Sequence, residues 1–465
     1  MGKKLEIFKR RIVNILFWSV VSAAFIGPGT VTTVTKAGAY HHYDLMWSVL
    51  FAIFAALLLQ EASARITILS GMNLGQAISK YFQSHKGRGL ILFSVVGTII
   101  LGSAAYETGN ILGAVEGLHF VFQNVPRIYF VLGIGFFAFL AFSLRSVRVI
   151  AQFMGAFVIL MGIAFFTTAF FVKPDISAML KGTFIPKIPN VSGAGLLILG
   201  IIGTTVVPYD IFLGSGIIDK SQTLKDARFG LSVAIILGGI ITMAIMTVGS
   251  AITEGWSQKA IQNMDFSFDL IKNVLYLNSF IGDLAVYVFG FGMFAAGFTS
   301  AITAPLASAI TARSVYGINS KKWAPKSLYY YLITGGILLV GMTFGILKVK
   351  PIPAIITAQA LNGLILPFIS IFLIIIINDP QVMKENVNSW FSNALMLSVV
   401  WLTTVIGLLN IVKATARALG ATLPDPDRLF LILSIISGFI TLWVLFLVLK
   451  ARKHQAITAQ KTIGQ

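Results

Sequence analysis

Asp210, Glu107, Glu61 and Arg65 are ionisable side chains set inside long apolar stretches. Charge within a bilayer is costly, so each is a candidate for function. Asp210 can bind a cation or take up a coupling proton, or it can cap a half-helix through backbone N–H groups. Glu107, in Tyr106–Asn110, can carry a proton or act as a buried acid that fixes its helix. Glu61 and Arg65 stand at i, i+4, the spacing of a structural ion pair on one helix face, and such pairs also serve as gates. Gln359 and Asn362 place two amides at i, i+3 in an otherwise apolar stretch, suited to a polar ligand or to a neighbouring helix. Ser300, Thr303, Ser308 and Thr311 form a hydroxyl series around Pro305, of the type used for helix packing or for a coupling ion.

Two interrupted segments would hold these groups. Phe25–Lys36 carries Gly27, Pro28 and Gly29 in a row, then Thr30, Thr32, Thr33 and Thr35. A proline flanked by glycines breaks a membrane helix, and the freed backbone groups need protein, water or a ligand. Gly203–Gly216 repeats the design with Pro208, followed by Tyr209 and Asp210.

A spanning helix needs about 20 apolar residues. Twelve stretches qualify: 13–35, 45–70, 90–117, 126–144, 149–172, 192–218, 229–252, 276–315, 328–347, 352–377, 390–411 and 428–450. The two breaks fall in spans 1 and 6. Interrupted segments at matching positions of two halves point to inverted repeats, with the ligand at the breaks. The expected organisation is a tail at 1–11, repeats at 12–175 and 190–378, two added helices in 388–450, and a tail at 451–465. The Pro-rich stretch 173–190 marks the boundary between repeats. Lysine and arginine concentrate on the side of the termini, which places both termini in the cytoplasm of a cell-membrane protein.

Composition agrees. Of 465 residues, 57% are hydrophobic and 11% charged, against roughly 25% charged in soluble domains. Mean hydropathy is +0.87. The net charge of +18 lies in short loops and tails, without a basic stripe or an aromatic platform, so nucleic acid is not an expected partner. With no cysteine there is no disulfide and no thiolate metal site. The basic N-terminus leads into span 1 without a cleavage site and is read as a retained helix. His41 and His42 suggest either a metal-collecting mouth or a solvated loop. No P-loop, GxSxG elbow or HExxH motif occurs, so neither ATP hydrolysis nor other enzymatic chemistry is expected. No resident cofactor is expected either.

The chain resembles the natural resistance-associated macrophage protein (NRAMP) family of divalent-metal transporters over roughly residues 20 to 380. The resemblance rests on Gln60–Leu74, Glu107–Gly113, Gly203–Tyr209, Ala295–Thr303, Gln359 and Leu366–Phe368. It implies an all-α leucine-transporter-type fold of 5+5 helices with two more. It also implies proton-coupled uptake of manganese or iron. The departures fall on the site. The family's Asp-Pro-Gly-Asn reads Gly27-Pro28-Gly29-Thr30 here, and its Met-Pro-His reads Val207-Pro208-Tyr209. A carboxylate, a thioether and an imidazole are thereby replaced. Gln359 matches a family glutamine and Glu107 a family acid, while Asn110 stands where the family has a second acid.

The expected substrate site is Gly27, Gly29, Thr30, Val207, Tyr209, Asp210 and Gln359, with Asp210, Thr30 and Gln359 as the metal ligands. Glu107, Asn110, Glu61 and Arg65 form the expected coupling or proton path. The cargo is then a divalent cation, of the Mn²⁺/Fe²⁺ kind or Mg²⁺ in its water, carried with protons as coupling ion. A hydrated Mg²⁺ asks fewer ligands of the protein. The alternative is a small amino-acid-like solute, its carboxylate on a half-helix N-terminus and its ammonium on Asp210. A transport-inactive sensor on the same scaffold is the third reading.

Overall fold

The computed structural model describes all residues except 1, 145–146, 190–193, 219–221, 279–281, 348, 420–421, 424 and 464–465. Every regular element among the described residues is helical. The first repeat comprises α1 (Gly2–Phe25), α2 (Pro28–His41), α3 (Met46–Ser70), α4 (Leu74–Tyr81), α5 (Arg88–Val121), α6 (Arg127–Phe142) and α7 (Val147–Phe171), and α8 (Ile176–Phe184) follows it. The second comprises α9 (Ala194–Thr205), α10 (Pro208–Gly216), α11 (Leu224–Ile252), α12 (Gln258–Gln262), α13 (Phe268–Asn278), α14 (Asp283–Tyr316), α15 (Leu328–Ile346) and α16 (Pro351–Ile377). Then come α17 (Pro380–Met383), α18 (Trp390–Leu419) and α19 (Pro426–Ile463).

Span 1 is broken where its sequence requires, and α1 and α2 meet at 65°. Span 6 is divided into α9 and α10. Among the described residues ten helices are long and apolar enough to cross a membrane, or eleven with the bent pair. The twelfth expected span is α6, which at 16 residues is shorter than a full crossing. Other boundaries shift. Span 8 starts at Asp283, with α13 a separate helix before it. The expected tails are helical: α1 begins at Gly2 and α19 runs to Ile463. The stretch 173–190 holds α8, whose first turn is capped by Asp175 accepting from Ala178 N–H at 2.9 Å.

The centre of the bundle is α5 against α14. Small residues let these two backbones touch. A Cβ at Gly297 would lie 2.6 Å from Ala114 N, and one at Gly117 would strike Phe294 N. Without a hydrophobic drive between helices in lipid, such close contact supplies the attraction. The outer faces have the opposite character. Most of the apolar length of α15 and of α19 is not buried inside the protein, and the exposed side chains there are large and apolar, such as Leu339, Phe439 and Trp443. Those faces require an apolar solvent, and the chain is a multi-pass membrane protein.

Candidate functional site at the paired helix breaks

Both prolines occupy the first position of the second half-helix, where the missing N–H costs nothing. Gly27 and Val207 precede them in extended conformation, and neither offers a side-chain cap. The last four carbonyls of α1 lack the continuing helix that would bond them, yet each has a partner. Ile26 N–H donates to Ser22 O at 2.9 Å. The Thr299 and Ser300 hydroxyls donate to Ala23 O at 3.3 and 3.2 Å. Tyr209 Oη donates to Ala24 O at 3.1 Å. Thr30 Oγ1 donates to Phe25 O at 2.5 Å and also lies 3.3 Å from Thr204 O, which ties the two breaks together. The protein's own hydroxyls thus fill the positions where a cargo cation would take backbone oxygen.

Asp210 lies in the first turn of α10 and is 2% exposed. Gln60 Nε2 on α3 donates to its Oδ2 at 2.9 Å. Its Oδ1 is buried with no protein partner. It borders a cleft, too tight for a water molecule, shared with Phe25, Leu59, Gln60 and Val207. An ionised carboxylate with one hydrogen bond in such a place costs several kcal/mol uncompensated. A positive charge offsets that cost.

Glu107 is fully buried on α5. Asn110 Nδ2 donates to Glu107 Oε2 at 3.2 Å, and Oε1 has no partner. Gly341 of α15 packs on it, where a Cβ would lie 2.7 Å from Glu107 Cγ. Asn110 also reaches the first break: a Cβ at Gly27 would stand 3.6 Å from Asn110 Oδ1 and 2.9 Å from Ser300 Oγ. Thus Asn110 bonds to Glu107 and lies beside Gly27. Tyr106 meets the Tyr209 ring edge-on at 5.8 Å.

Gln359 meets the first break, and the other candidates fall elsewhere. Gln359 Oε1 accepts from Thr33 Oγ1 at 2.8 Å, and its Nε2 lies against Gly29, buried and without a partner. Asp210, Thr30 and Gln359 therefore engage three different partners, and no hydrogen bond joins them. Among the described residues no group of three His, Cys, Asp or Glu side chains is placed to hold a metal. Glu61 and Arg65 pair at 3.4 Å, and Glu61 also takes Arg228 of α11 at 2.7 Å. Arg65 continues to Asn388. The hydrogen bonds and ion pairs described for that network lead to Arg228 and Asn388 and not to the breaks. The Asn362 side chain lies outside the described residues. His41 is buried, and His42 Nδ1 lies 3.3 Å from Ser250 O. In the α14 series only Ser300 reaches the break, while Thr303 and Thr311 bond back along their own helix. Sequence reasoning missed the roles of Gln60 and Thr299. Gln60 was visible as an amide beside Glu61, but its partner lies 150 positions away.

Residues 19–413 match the sequence profile described as natural resistance-associated macrophage protein-like (Nramp). The chain belongs to this family. The divalent metal cation transporter MntH of Caldanaerobacter subterraneus subsp. tengcongensis is 27% identical to this Nramp chain over 378 residues, covering 79% of this chain and 85% of that one. A crystal structure of the Eremococcus coleocola manganese transporter, in complex with an aromatic bis-isothiourea substituted compound, aligns with TM-score 0.73 at 19% identity, covering 96% of this chain and 95% of that one. Mhp1, a nucleobase-cation-symport-1 family transporter, aligns with TM-score 0.53 at 14% identity, covering 94% and 92%. The fold of this Nramp protein is the leucine-transporter type. Its Gly27 position is now intelligible: the space beside it is taken by Ser300 and Asn110.

Proposed function

We propose that this protein is a secondary active transporter that takes up a divalent cation, with protons as the coupling ion, by alternating access around the two breaks. Family membership supports transport, and the MntH relative's name supports a divalent metal over an amino-acid-like solute. The observation that carries the reading is Asp210, a buried carboxylate with one oxygen unpartnered beside a broken helix. The α1 carbonyls are already bonded, so the protein offers a cation few oxygens. That scarcity favours an ion that keeps part of its water, as Mg²⁺ does. Glu107, linked through Asn110 to the first break, is the group assigned to carry the proton. The distribution of lysine and arginine supports cytoplasmic termini in a cell membrane.

Reconstitution in liposomes tests this. Mn²⁺ and Mg²⁺ fluxes are measured beside an amino-acid panel. At least one metal flux is expected, accelerated by an inward proton gradient, with Asp210→Asn lowering it by about tenfold or more and Glu107→Gln removing the acceleration. Vesicles that move amino acids but neither metal would overturn the cation reading.

A further inference from the structure

A cavity of about 330 Å³ lies among α4, the start of α5 and the end of α14, and none of the residues at the two breaks lines it. Ser79, Lys80, Arg88 and Ser314 supply its polar wall. Arg88 donates one N–H to Ser79 Oγ at 3.0 Å, which leaves the rest of its planar fork for an anion. Lys80 also reaches Gln381 O at 3.5 Å and lies near Asp379, so Arg88 is the principal cation here. Among the described residues no acidic side chain lines the cavity. The helix α5 starts at Arg88 without a side-chain cap, and the positive end of its dipole falls at the same place.

The rim has a different character. Tyr316 and Ile318 line the cavity and are 38% and 37% exposed. The Tyr316 ring stacks on Trp323 at 5.0 Å, and Trp323 stands 4.9 Å from the Tyr329 ring. Tyr329 lies in the first turn of α15, whose exposed Leu328, Leu332 and Leu339 require an apolar solvent. Tyrosine and tryptophan rings settle at the level of lipid headgroups. A cationic, hydroxyl-lined pocket is thus joined by aromatic side chains to a lipid-facing helix. A soluble phosphate would use the pocket alone, whereas a phospholipid uses both. We infer that this cavity binds the phosphate of an anionic phospholipid, with Arg88 on its oxygens, Lys80, Ser79 and Ser314 around the headgroup, and the acyl chains leaving past Tyr316 and Trp323 onto α15. On the orientation proposed above, the cavity faces the cytoplasm, where anionic headgroups attract basic clusters.

The test uses the purified full chain in phosphatidylcholine nanodiscs, without divalent metal, titrated with dihexanoyl-phosphatidylglycerol and followed by thermal melting. A saturable rise in melting temperature is expected. Arg88→Gln should raise the half-saturating concentration about tenfold or more, and Lys259→Gln, at an exposed lysine of α12, should leave it unchanged. Each variant is referred to its own melting temperature before lipid is added, so a weakened fold is not read as weakened binding. No saturable rise, or a rise equally shifted by both substitutions or by neither, overturns the assignment. So does an equal rise with glycerol phosphate, which would make the ligand a free phosphate. Since no cargo enters this measurement, its outcome and that of the flux experiment are independent.

Discussion

Replacing Tyr209 by phenylalanine removes one hydroxyl and strands Ala24 O in the centre of the molecule. A buried acceptor left without its donor costs about 1–3 kcal/mol, and Tyr209→Phe should lower unfolding free energy by that amount in a denaturant titration. If the freed carbonyl becomes a ligand, added Mn²⁺ will stabilise the variant more than the parent. The residue types at this site were legible in advance: Asp210 and Glu107 stood out as acids in apolar sequence, and Gln359 as an amide. Their partners were not. Tyr209 looked like a substrate contact, but its hydroxyl serves a carbonyl 185 positions earlier. Hydrogen bonds over such separations leave no local periodicity to read.

At the scale of the helices, Pro28 rests on Gly113 of α5, where any Cβ would collide with the proline ring. The scaffold helix therefore fixes where the broken helix turns. Gly113→Ala should push Pro28 aside, cost about 1–3 kcal/mol through overpacking, and slow cation flux more than a destabilisation of that size does at a lipid-facing site such as Leu339. Paired unfolding and flux measurements separate the two effects. Both breaks were evident in the sequence, because Gly and Pro punctuation acts locally. The ends of α18 and α19 were not, since a membrane helix continues into water without any change in its hydrogen bonding, and the start of α14 was not, because the apolar stretch runs back into the end of α13. The small helix α8 was concealed in a Pro-rich stretch that read only as a boundary.

Across the whole molecule, Arg228 of α11 holds Glu61 of α3 through two nitrogens, at 2.9 and 2.7 Å. The pair crosses between repeats, but Arg228 is half exposed. Solvent screening limits such a pair to about 0–1 kcal/mol. Arg228→Met should barely change the melting temperature, while changing the flux if the pair latches one side of the carrier; a flux equal to the parent's would leave it a plain surface contact. The overall topology was readable because two breaks five helices apart leave few alternatives. The last carbonyls of α1 are bonded by the protein's own groups, so the centre of the molecule does not depend on a bound ion to satisfy them. On the transport proposal, a return step without cargo would strand no backbone oxygen, and the cycle would then favour net accumulation over one-for-one exchange.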